Sequence, residues 1–168
     1  MDIHEEEEMI SKGIRGVPES PDELKTKNRN RKRIKMLYKA FSHGETEIVS
    51  KLVASDLEWW YHGPPNCQYM MKMLTGEATY TSFKFRPRRM RAIGERVIVE
   101  GWEGLEIYWV HVWNIKEDGI IITQFREYFN TLLTVLLGVS ENGGELRLWQ
   151  SATEARICRS LPDLVLAA

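Results

Sequence analysis

Only two cysteines, Cys67 and Cys158, occur in these 168 residues, too few for a disulfide framework. Both read as reduced thiols. Neither sits in a Cys-x-x-Cys pair, and no His/Cys spacing suggests zinc, so neither a metal nor a cofactor is expected. No apolar run is long enough to cross a bilayer, which argues against a membrane partner. An excess of one charge is lacking as well. The 23 basic and 24 acidic residues leave a formal net charge of −1, a balance that weighs against nucleic acid as partner of the whole molecule. Glu5 to Glu8 stand where a signal or transit peptide would be basic. A cytoplasmic protein is expected, with the nucleus left open by a basic run at Lys25–Lys35.

What remains is ordinary globular material, 43% hydrophobic and 28% charged, enough for one domain with a sizeable core. Residues 1–30 read as a disordered tail, first acidic and then basic. The basic run has two readings, a phosphate- or importin-binding segment and the solvated start of a helix. Residues 31–137 read as the folded domain and 138–168 as a C-terminal extension. In the domain, Ile34, Leu37, Tyr38 and Phe41 fall at i, i+3, i+4 and i+7 of a first helix, Asn30 to His43, stopped by Gly44. Ile48, Val49, Leu52 and Val53 mark a second helix. Leu57 to Gly63 alternates as a strand closed by Pro64-Pro65. Asn66 can cap a third helix carrying Tyr69, Met70, Met73 and Leu74, with Gly76 as its stop. Strands are expected after it at Tyr80–Phe85, Val97–Trp102, Leu105–Ile115 and Ile120–Val135. Helices first and strands afterwards predict an α+β domain, a twisted, mostly antiparallel sheet wrapped on three helices. The apolar residues among 136–168 predict a segment that docks on the domain or covers an opening.

The stretch from Tyr108 to Thr131 carries the most chemistry. Asp118-Gly119 between alternating apolar runs is a hairpin signal, because that turn needs positive φ. Trp109, His111, Trp113 and Ile115 share one face of the first strand. Arg126, Tyr128 and Asn130 share a face of the second. With Trp60 they compose a small-molecule pocket, aromatic walls and a few polar groups; the plain alternative is ordinary core. Arg126–Glu127 has a plain reading as well, a surface ion pair with neighbours. One extra residue in Gly119–Thr123 would demand a bulge and flip the facing of the residues beyond it.

The segments Asp56–Gly76, with Trp-Trp-Tyr-His-Gly-Pro-Pro at 59–65, and His111–Thr131, with Arg-Glu-Tyr-Phe-Asn-Thr at 126–131, resemble the plant wound-induced (Wun1-like) family. The C-terminal Arg159–Ala167 is similar as well. The resemblance implies an NTF2-like (SnoaL-like) cone with an internal pocket, and dimerisation through the outer sheet face. The family name describes induction by wounding, senescence or stress, and implies no reaction.

Superfamily cyclases and isomerases take a proton from beside a carbonyl, which needs a base and an oxyanion donor. The resemblance places His111 at the cyclase base position. The paired acid position holds Asn130, which cannot release a proton. Three readings stay open. One is a non-catalytic binder of a small apolar or aromatic ligand, walled by Trp60, Trp109, Trp113 and Tyr128 with His111, Arg126 and Asn130 as polar contacts. The second is a cyclase or isomerase with catalytic His111. The third is a homodimeric interaction module with a vestigial cavity.

Overall fold

The computed structural model describes residues 19–77, 83–104, 107–116, 118, 121–130, 148–151 and 165–167. Its first helix, α1, runs Pro21–His43, so it begins nine residues before the Asn30 that its apolar periodicity suggests. Ser20 is the N-cap and its Oγ accepts from the Glu23 N–H at 3.2 Å. Pro21 takes the first helical position, and Asp22 and Glu23 oppose the positive end of the helix dipole. Gly44 ends the helix at φ 66°, and its N–H meets the last carbonyls. Ile34, Leu37, Tyr38, Ala40 and Phe41 form its buried stripe. Helix α2 is Thr46–Leu52. A 3₁₀ turn at Pro65–Cys67 precedes α3, Tyr69–Leu74.

Strands β1 (Val53–His62), β2 (Arg89–Ile93), β3 (Arg96–Glu103), β4 (Ile107–Ile115) and β5 (Ile122–Phe129) form one sheet in the order β1-β5-β4-β3-β2. Strand β1 runs parallel to β5, and the other three pairings are antiparallel. The α+β plan of three helices on a mostly antiparallel sheet is therefore the one found. No strand forms at 83–85, and Tyr80 to Ser82 lie outside the described residues. The strand that forms instead is β2, where Met90 and Ala92 turn inward between exposed Arg89 and Arg91. The Glu117–Gly119 turn lies outside the described residues except Asp118. The hairpin itself is present in the β4–β5 pairing. Two short strands, β6 (Leu148–Gln150) and β7 (Val165–Ala167), pair with each other.

The sheet has two apolar faces. The inner one meets the helices through Val97, Val99, Trp109, Trp113, Ile115, Phe125 and Phe129. Each such fully buried large side chain contributes roughly 1.5–3 kcal/mol. On the outer face Ile98, Tyr108, Val110, Val112 and Tyr128 pack together with Trp149 of β6. The C-terminal extension thus docks on the sheet through Trp149; residues 131–147 and 152–164 lie outside the described residues.

Candidate functional site

Strand β5 carries one more residue than its partner. Asn114 pairs with Gln124 while Ile115 pairs with Ile122, so Thr123 is surplus. Such a bulge bends the strand and shifts its facing. Beyond it Phe125, Glu127 and Phe129 point inward, and Arg126 and Tyr128 outward. The expected facing of Arg126, Tyr128 and Asn130 toward His111 is therefore off by one residue, and Glu127 stands opposite His111.

His111 is fully buried. Its Nε2 lies 2.7 Å from Glu127 Oε2 and its Nδ1 lies 2.6 Å from the Tyr38 hydroxyl. The Trp113 indole N–H donates to that hydroxyl at 3.0 Å. Indole can only donate, and this fixes a direction. Trp113 donates to Tyr38, Tyr38 donates to His111 Nδ1, and Nε2–H donates to Glu127. The reverse order would leave the Tyr38 proton without an acceptor. Burial, working against the hydrogen bond and charge of Glu127, holds the His111 pKa below its usual value. Burial likewise pushes the Tyr38 phenol well up. Both groups are neutral near pH 7.

Aromatic rings enclose this chain of donors. Trp109, Phe85, Phe125, Trp113 and Tyr38 lie 4.4, 4.7, 5.0, 5.9 and 6.0 Å from the imidazole centroid. Trp113 also stacks on Phe125 at 4.0 Å. Three buried polar atoms of the inner face have no hydrogen-bond partner among the described residues: Glu127 Oε1, Trp59 Nε1 and Trp109 Nε1. Tyr61, opposite Glu127 on β1, has its phenol pushed up, first by burial and then by Cys67, Glu127 and Tyr69.

The remaining candidates lie apart. Trp60 is half exposed, with Arg126 5.9 Å above its ring and its indole N–H on Glu58 at 2.8 Å. Tyr128 stacks on His62 at 5.1 Å. Asn130 closes β5 at φ 43°. Its Oδ1 accepts the Tyr108 N–H at 2.8 Å while its own N–H reaches the Tyr108 carbonyl at 2.9 Å. The amide is thus engaged by backbone. The structure brings His111, Trp109 and Trp113 together and adds Tyr38 and Glu127, which sequence reasoning missed. The signal for Glu127 was the surplus residue before it; for Tyr38 there was none beyond its place on the buried stripe. A cavity of about 340 Å³ lies elsewhere, between α1 and the Gly94–Glu95 turn, with Asn30 and Ile115 in its lining.

Residues 71–168 match the family described as wound-induced protein WI12. The chain belongs to this family. It is 42% identical over 106 residues to wound-induced protein 1 of Solanum tuberosum, covering 58% of this chain and 99% of that protein. It is 34% identical over 111 residues to senescence associated gene 20 of Arabidopsis thaliana, with the same coverage of 58% and 99%. Solved structures with a similar trace include an NTF2-like protein from Burkholderia xenovorans (23% identity, TM-score 0.46, covering 63% of this chain and 92% of that one). Another is a LEH-like epoxide hydrolase from M. tuberculosis (18%, TM-score 0.48, 61% and 84%). A third is a putative SnoaL-like polyketide cyclase from Jannaschia (9%, TM-score 0.47, 68% and 92%). The WI12 match takes in His111 and Glu127 and leaves out Tyr38 with the whole of α1. The donor chain of this family member therefore joins two matched strands, β4 and β5, to a helix outside the matched segment.

Proposed function

We propose that this member of the wound-induced family binds a small, mainly apolar or aromatic molecule on the inner face of its sheet, without transforming it. The observation that supports this is the set of unpartnered polar atoms among the rings. A buried acceptor or donor left unsatisfied costs about 1–3 kcal/mol, and three of them lie on the inner face of one sheet. A ligand hydroxyl or N–H suits Glu127 Oε1, and a carbonyl or ether oxygen suits an indole N–H. Rings fill the space around His111, so entry requires one of them to move. Phe85 suits that role, because residues 83–88 belong to no helix or strand. Native mass spectrometry of protein from its own tissue, before and after denaturation, tests the reading. The expected result is a released small molecule, and weaker rebinding to Trp109→Phe, which keeps an aromatic ring and removes the donor. Protein of bare chain mass, with no adduct under gentle conditions, would overturn it.

A second reading, proton transfer beside a carbonyl, draws support from the donor chain. Both His111 nitrogens are engaged by Tyr38 and Glu127, so His111 would act through Glu127. The base would be Glu127 Oε1. Turnover of the released molecule that survives in Glu127→Gln would sink this assignment.

A further inference from the structure

The basic run belongs to neither reading, and the structure gives it a shape. From Lys25 to His43, α1 has no acidic residue, although the chain as a whole carries a net charge of −1. Lys25, Arg29, Lys32, Lys35 and Lys39 are all exposed. At 3.6 residues per turn these five fall within an arc of about 120°, opposite the stripe of Asn30, Ile34, Leu37 and Phe41 that faces the core. Lys25 to Lys39 spans about 21 Å of helix. Among the described residues Lys25, Lys32, Lys35 and Lys39 form no ion pair. The segment is helical and half of it is committed to the core, so it does not present itself as an extended peptide.

We infer that this face of α1 is a docking surface for the phosphate backbone of duplex nucleic acid. Several observations select this partner. Cations along one face of the helix meet a regular line of negative charge, and contacts of this kind need no base recognition. The exposed arc holds no aromatic ring, and so has no platform on which single-stranded bases would stack. The apolar side of the helix is consumed by the core, which leaves among its described residues Met36 on the exposed arc and Leu24 at its edge, well separated along the helix and too little apolar surface to insert into a lipid surface. Net charge describes the whole chain and hides this face.

The test is fluorescence anisotropy of the full chain with a labelled DNA duplex of about 20 base pairs. Binding is expected at low salt. The logarithm of the binding constant should fall with log salt at a slope of about −3.6, for the four phosphates neutralised by the lysines. Replacing Lys25, Lys32, Lys35 and Lys39 by Gln should weaken binding at least tenfold and flatten the slope, with circular dichroism and melting unchanged because all four are exposed. The matching Lys→Arg variant should still bind. Absence of wild-type binding at low salt would overturn the inference, as would a Gln variant that binds like wild type. Equal affinity for a Glu-rich peptide or for phosphatidylserine vesicles of matched charge would overturn it too, and would reassign the face to acidic polypeptides or lipid.

Discussion

Glu127 stands directly across the β4–β5 ladder from His111, with Oε2 2.7 Å from Nε2 and both side chains fully buried. The pair is tied to stability through pH. Burial lowers the His111 pKa in the folded chain. Below about pH 6.5 the unfolded chain takes up a proton that the native one refuses. His111 therefore costs nothing above that pH and destabilises progressively as pH falls through it. The loss approaches about 1.4 kcal/mol per pH unit until the folded site itself is protonated. Urea midpoints between pH 7 and 5.5 should fall, and His111→Gln should be less stable at pH 7 but flatter in slope. A slope identical in the two proteins would show that His111 is not the group responsible.

How far the site was legible turns on one residue. The hairpin, the glycine stops at Gly44 and Gly76, and the inward set Trp109, His111 and Trp113 came from period and turn chemistry, which are local. The facing beyond Thr123 did not, because a bulge is decided by how two strands meet. Parity alone set Arg126 and Tyr128 against His111, and one surplus residue put Glu127 there. Tyr38 was legible as core and not as a hydrogen-bond bridge, since its partners are 73 and 75 residues away. The start of α1 was legible and overlooked. Ser20-Pro21-Asp22-Glu23 is a capping sequence, hidden beside a basic run that resembles a disordered tail.

Tyr38→Phe isolates the bridge. The substitution keeps the ring and removes the oxygen that joins Trp113 to His111. Two buried ring nitrogens then lose their partner. The cost should be about 1–3 kcal/mol, read as a lower urea midpoint with unchanged m-value, and Trp113 fluorescence should shift. A cost near zero would mean that the bridge is not made in solution.

Gly101 tests the packing beneath Trp109. A Cβ there would fall far inside van der Waals contact with the indole, 2.3 Å from Trp109 Cζ2 and 2.4 Å from Cε2. The indole is rigid and fully buried, so it cannot simply swing aside. Gly101→Ala should cost roughly 1–3 kcal/mol and perturb near-UV circular dichroism. If ligand binding uses Trp109, affinity should fall as well. Wild-type stability and spectrum together would refute the close approach.

Asn130 separates a backbone role from a ligand role. It combines a left-handed φ of 43° with an Oδ1 that accepts the Tyr108 N–H. Glycine meets the first demand and not the second; alanine meets neither. Asn130→Gly should therefore lose about 1 kcal/mol, and Asn130→Ala should lose more, by roughly the left-handed penalty of 1–2 kcal/mol. That ranking in melting experiments, with affinity for any released ligand unchanged in the glycine variant, assigns Asn130 to strand closure. A glycine variant as stable as wild type but impaired in binding would return the amide to the pocket, where strand parity alone had put it.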